Sequence, residues 1–99
     1  MTYKVVDITA GSDLDYYVDW TSRLDGTEAI VSSVWAKEDS SVLTLHDNSI
    51  SGSKTKVFIK DGTLGEVTRI TNTIVTSAMP PRTLVCRFYV RVIANMEQI

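Results

Sequence analysis

"TLVCRFYVRVI", Thr83 to Ile93, sets Leu84, Cys86, Phe88, Val90 and Val92 against Val85, Arg87, Tyr89 and Arg91. A period of two sustained over nine residues marks a β-strand, because successive side chains of a strand point to opposite faces of its sheet. Thr83 to Ile93 is therefore expected to bury one face and wet the other. Upstream, "SAMPPR" holds both prolines of the chain, which lack a ladder donor and restrict the residue before them, so this is a connection between strands. Before it, "VTRITNTIVTS" is rich in β-branched residues that fit a pleated surface. Val67 to Thr76 is expected to pair with the last strand as a hairpin. On its inward face Asn72 would stand between Ile70 and Ile74, and its amide would need partners inside a structural network.

Working further toward the N-terminus, "KTKVFIKDG" alternates Thr55, Val57 and Ile59 against lysines that would discourage edge pairing between molecules, and Asp61 with Gly62 starts a turn. "AIVSSVWAKE" places Val31, Ser33 and Trp35 on one face, and "SVLTL" reads as a shorter strand between the turn-rich "KEDSS" and "HDNSISGS". "LDYYVDWTSRL" fits either period, and its aromatic and β-branched content favours a strand over a helix. A first strand, Tyr3 to Thr9, brings the count to seven. Seven short strands with turns between them predict an all-β fold, a two-sheet β-sandwich expected to be antiparallel.

Length and composition bound the rest. Ninety-nine residues suffice for one domain, expected over 1–99, and 43% apolar with 22% charged residues is a globular balance. The formal net charge of −2, with Lys and Arg thinly spread, argues against a nucleic-acid partner. No apolar run approaches the roughly 20 residues that cross a bilayer, and "MTYKVVDITAG" lacks a signal-peptide core, so no membrane partner and synthesis in a reducing cytoplasm are expected. With Cys86 as the sole cysteine, neither an intrachain disulfide nor a cysteine-based metal cluster can form within one chain.

Each candidate for chemistry has a plainer reading. "GTLGEV" lacks the Gly-Lys-Ser/Thr and following helix of a phosphate loop, and its strand flanks, Asp61 and Glu66 disfavour a nucleic-acid-clamping Gly-x-x-Gly loop. It reads as a strand-connecting turn. His46, beside Asp47, reads as a surface turn histidine, and Cys86 as a small, protonated core residue. Asp13, Asp15 and Asp19 lack the loop and terminal Glu of a calcium site, and Glu38 with Asp39 are too close to face each other across a substrate. No catalytic constellation, cofactor or small-molecule substrate is expected. What remains is surface. Arg87, Tyr89 and Arg91 on the outer face of the last strand, with Tyr17 and Asp19 on another, are residue types suited to protein contacts. Trp20 and Trp35 read as core anchors before they read as sugar-stacking platforms.

The order of "LDYYVDW" with Leu24, then "DGTEAIVSSVW", then "DGTLGEVTRITNTIVTS", then "RFYVRV" resembles the fiber-tail adaptor proteins of phages, small structural proteins with immunoglobulin-like sandwich folds. The likeness runs from Leu14 to Val92, and the chain departs from it at Thr68, where an aromatic is usual, and at "AMPPR", where a Gly-Arg tip is usual. The resemblance implies a non-enzymatic virion component, made in the bacterial host cytoplasm, that joins tail, connector or fiber proteins in multiple symmetric copies. A capsid decoration protein bound to the major capsid protein is the rival reading. A carbohydrate- or host-surface-binding module is the third.

Overall fold

The computed structural model describes residues 4–94. Seven strands run in chain order: β1 (Val5–Thr9), β2 (Leu14–Asp19), β3 (Ile30–Lys37), β4 (Thr44–Ser51), β5 (Lys54–Lys60), β6 (Val67–Thr76) and β7 (Thr83–Ile93). They form a four-stranded sheet, β1-β7-β6-β3, packed on a three-stranded sheet, β2-β5-β4. With β2 to β7 lettered B to G, these are the B-E-D and C-F-G groupings of an immunoglobulin sandwich. The first strand lies beside β7 rather than β2, and its pairing, Val5 opposite Tyr89 through Thr9 opposite Ile93, is parallel. The expected all-antiparallel sandwich is corrected at that one ladder, since alternation in a sequence fixes faces but carries no direction of pairing.

The period-two reading holds through β5, β6 and β7. Thr55, Val57 and Ile59, then Thr68, Ile70, Asn72 and Ile74, then Phe88, Val90 and Val92 are all buried. Ile8 and Leu43 join Val57, Ile59, Ile70, Phe88, Val90 and Val92 in one core cluster, with Val6, Tyr16, Val18 and Trp35 packed at its margins. Each such side chain, fully removed from water, is worth about 1.5–3 kcal/mol. β6 and β7 pair antiparallel across the "SAMPPR" connection, in which the Met79–Pro80 bond is cis. β2 is a strand, as its aromatic content requires, and gives way to a 3-10 turn at Thr21–Arg23.

Three further expectations are corrected. The fourth strand is Thr44–Ser51, not Ser41 to Leu45. Its ladder with β5 overrides the turn propensity of "HDNS", which survives only as a bulge between His46 and Ser49 with Asp47 at φ 50°. Ser51 faces Lys54, so the hairpin loop is Gly52 and Ser53, and Gly52 takes the positive φ of 59° that a two-residue turn demands. The lysines of β5 guard no edge, because β5 is the central strand of its sheet. Val31 leaves the inward face of Ser33 and Trp35: a bulge between Ile30 and Ser32 turns it out to 63% exposure. The first strand is observed as Val5–Thr9, and Tyr3 lies outside the described residues.

The Gly-Thr-Leu-Gly segment is a strand-connecting turn. Gly65 adopts φ 89°, while Gly62 is required by space, since a Cβ there would stand 2.6 Å from Val92 Cγ2. Glu66 organises this corner: its carboxylate accepts from the Ser41 hydroxyl at 2.6 Å, the Thr68 hydroxyl at 2.6 Å and the Val42 amide at 3.3 Å. It thereby holds the segment before β4 against the start of β6.

Candidate interaction surface

Among the described residues the parallel ladder begins with Val5 opposite Tyr89, and the first half of β7 lies ahead of it. The space left at this side of the sandwich is a cleft of about 230 Å³ between the two sheets, lined by Lys4 and Val6, by Tyr16, Tyr17, Val18 and Asp19 of β2, and by Cys86, Arg87 and Phe88 of β7. Its walls are apolar and its rim is charged. Tyr16 closes one end by donating its hydroxyl to the Asp7 carbonyl at 3.2 Å, a link between β2 and β1. Burial raises the Tyr16 pKa, with Asp7 and Asp15 adding to the effect, so the hydroxyl keeps the proton it donates.

Three of the five contact residues read from the sequence, Tyr17, Asp19 and Arg87, meet at this cleft. Tyr17 is 61% exposed, with the Lys54 ammonium 5.1 Å from its ring centroid. Asp19 accepts from the Thr21 amide at 3.0 Å and the Thr21 hydroxyl at 2.5 Å, bonds that lower its pKa. Tyr89 and Arg91 lie farther along the outer face of β7, opposite Val5 and Asp7. The Arg91 guanidinium grips the Asp7 carboxylate through two bonds, 2.9 and 3.0 Å, and these hold the Asp7 pKa below its ordinary value. Arg91 thus ties β7 to β1 and is less available to a partner than its sequence position implied.

Cys86 is not the core residue expected. It is half-buried in the cleft wall, where burial raises its pKa against the opposing influence of Arg23 and Lys4. The thiol remains protonated, as expected. His46 lies within β4 rather than on a turn, its Nε2 2.9 Å from Asp13 and its Nδ1 2.8 Å from Asp47. Both carboxylates raise its pKa. Trp20 is fully buried and its indole donates to Thr55 at 3.0 Å, so it cannot serve as a sugar platform; Trp35 packs edge-on against Phe88. Among the described residues no cluster of three or more His, Cys, Asp or Glu is placed to hold a metal ion, and no helix is long and apolar enough to cross a membrane.

Sequence reasoning missed Lys4, Val6 and Arg23 as neighbours of this surface. Lys4 and Val6 reach it only through the parallel pairing of β1, and Arg23 only through the 3-10 turn, whose guanidinium sits 5.2 Å from the Trp20 ring centroid and donates to the Val85 carbonyl at 3.1 Å. Neither placement has a periodic signal.

No curated protein matches the chain. The family model described as "Podophage GP4 fiber-tail adaptor protein gp77" matches residues 9–91, from the end of β1 to Arg91 near the end of β7. That family is structural and non-enzymatic, a component of the phage tail and hence of the virion, and its adaptor role implies binding to other virion proteins. By a match that reaches strands of both sheets and covers most of the chain, the chain belongs to the podophage fiber-tail adaptor family.

Proposed function

We propose that this protein links the tail or its connector to the fibers, in several copies arranged about the tail axis, with the edge that carries Tyr17, Asp19 and Arg87 as a contact surface and Tyr89 and Arg91 extending it along β7. The observation that carries the reading is the grouping of Tyr17, Asp19 and Arg87 around one open cleft in a chain whose family is adaptor. Tyr and Arg are enriched among the few residues that dominate the energy of protein contacts, and a cleft lets their surroundings be dried on docking. The fold suits an adaptor, because a sandwich held by a continuous core offers stiff faces and edges, and repeated copies around a symmetric tail multiply modest contacts. Contacts to nucleic acid, membrane or a small-molecule substrate form no part of this role.

Deleting the chain from assembling particles tests the linking role. Particles assembled without it are expected to retain filled heads and to lack fibers at the tail. Particles that lack the chain and still carry a full set of fibers would refute the linking role.

A further inference from the structure

Three features lie outside the contacts already described: the His46 pair with Asp13 and Asp47, the Glu28 pair with Arg82, and the outward lysines of β5. The first two are closed sets whose partners face one another. The lysines have no such partners, and the edge they were expected to guard does not exist.

β5 buries Thr55, Val57 and Ile59, so Lys54, Lys56, Phe58 and Lys60 point outward from the middle of the three-stranded sheet. On an edge strand such lysines discourage pairing with another molecule; on a central strand both neighbours are in place and that use is gone. Register sets what surrounds them. Lys56 stands between Tyr17 of β2 and Ser49 of β4, and Lys54 between Asp19 and Ser51. Tyr17, Ser49, Ser51, Lys54 and Lys56 together line an open groove of about 250 Å³ on this face.

The groove presents the ammoniums of two lysines and the hydroxyls of Tyr17, Ser49 and Ser51, and no carboxylate lines it. The Lys54 ammonium lies 5.1 Å from the Tyr17 ring centroid, and that of Lys56 lies 5.5 Å from the Phe58 ring centroid. These contacts hold the lysine stems in place without neutralising their charges. Among the described residues neither ammonium is paired with a carboxylate, and neither serine hydroxyl is held by another side chain. Asp19, the carboxylate opposite Lys54, is turned to the Thr21 amide and hydroxyl, and Asp15 stands one row away, opposite Phe58. Two cationic donors about 7 Å apart along the strand therefore face outward beside hydroxyls that can both donate and accept.

This lining suits a particular kind of ligand. β5 has a neighbour on each side, so no strand can be added to it, and the groove offers one apolar surface, the 61% exposed Tyr17 ring, in place of pockets for the alternate side chains of a peptide. A hydroxylated ring that carries an anionic group meets every element of it. The anion receives charge-assisted bonds from Lys54 and Lys56, the ring hydroxyls exchange bonds with Ser49 and Ser51, and the C–H surface of the ring rests against Tyr17. We infer that this groove binds an anionic saccharide, one whose sugar carries a carboxylate or a phosphate. The inference goes beyond the adaptor reading and does not rest on it; with the proposed contact edge the groove shares only Tyr17.

The experiment titrates the purified, isotope-labelled full chain and follows its backbone amides by NMR. The probes are trigalacturonate for a carboxylate, a phosphomannan oligosaccharide for a phosphate, maltotriose as a neutral sugar and poly-L-glutamate as an acid without sugar. The expected result is saturable shifts confined to the neighbourhood of Tyr17, Ser49, Ser51, Lys54 and Lys56 with one of the two anionic saccharides at concentrations up to about 10 mM, and that saccharide identifies the anion. The Lys54→Gln, Lys56→Gln double variant, which keeps the stems and removes the charges, is expected to weaken this binding about tenfold or more, and Lys60→Gln to leave it unchanged. No shifts with either anionic saccharide, shifts centred elsewhere, equal shifts with maltotriose or with poly-L-glutamate, or an affinity unaltered in the double variant overturns the inference. Each of those outcomes leaves the adaptor role standing.

Discussion

The Asn72 side-chain oxygen lies 2.5 Å from the Thr55 hydroxyl, across the core from one sheet to the other. The same oxygen receives the Trp20 indole at 3.3 Å, while the Asn72 amide donates to the Ser33 hydroxyl at 2.9 Å and the Val34 carbonyl at 3.2 Å. β6, β3, β5 and the end of β2 are joined at one buried residue. In immunoglobulin domains a disulfide between the second and sixth strands commonly spans the sheets; with a single cysteine in the chain, this polar cluster makes the corresponding link.

Removing that hub leaves buried donors and acceptors without partners and opens a small void. Asn72→Ala is expected to lower unfolding free energy by about 2–4 kcal/mol, while Thr55→Val, which leaves the indole its Asn72 partner, costs about 1 kcal/mol. Urea unfolding of the two variants checks the order as well as the size.

Gly62 faces Val92 and Leu43 so closely that a methyl group would stand 2.6 Å and 3.0 Å from their side chains. Gly62→Ala is expected to destabilise by about 1–3 kcal/mol through overpacking of a buried valine, whereas a fit without strain would change stability little. Thermal unfolding followed by circular dichroism reads the difference.

Glu28 couples the loop before β3 to the β6–β7 connection. Its carboxylate is only 4% exposed and receives the Arg82 guanidinium at 2.5 and 2.9 Å together with the Thr76 hydroxyl. Arg82 foremost, then Thr76, lower its pKa from 4.5 to about 2. A depressed carboxylate contributes stability that is complete above its unfolded value and is lost as pH falls from 4.5 toward about 2. Denaturant midpoints between about pH 6 and about pH 2 are expected to fall for the wild type and to fall less steeply over this window in Glu28→Gln, which is less stable at neutral pH.

His46 behaves in the opposite sense. Its pKa is raised above 6.5 by Asp13 first and Asp47 second, so the stability it contributes is present in full below 6.5 and is lost as pH rises through the folded value. Asp13→Asn is expected to bring the His46 titration, followed by ring-proton NMR, back toward 6.5 and to weaken the anchoring of the β2 entry on β4.

How much of this was written in the chain depends on the kind of information each feature needs. Faces were legible: alternation in β5, β6 and β7 requires only that one side of a strand be apolar, and Asn72 stood out because it interrupts such a side. Strand ends were legible where glycine or proline marks them, at Asp61–Gly62 and "SAMPPR", and not at "HDNS", where cross-strand bonding to β5 outweighs local turn preference. Neighbours were the least legible. The parallel β1–β7 ladder decides that Lys4 and Val6 border the cleft and that Arg91 is engaged by Asp7, yet no local pattern encodes which strands meet. The candidate surface was therefore read in its residue types, Tyr17, Asp19 and Arg87, and missed in its shape.

The most direct test of the adaptor account is a cryo-electron microscopy reconstruction of the tail with this chain traced in it. The account requires a ring of copies between the tail or its connector and the fibers, with Tyr17, Asp19 and Arg87 buried against a neighbouring protein. Density for the chain across the capsid lattice, or a tail ring in which that edge faces solvent in every copy, would contradict it.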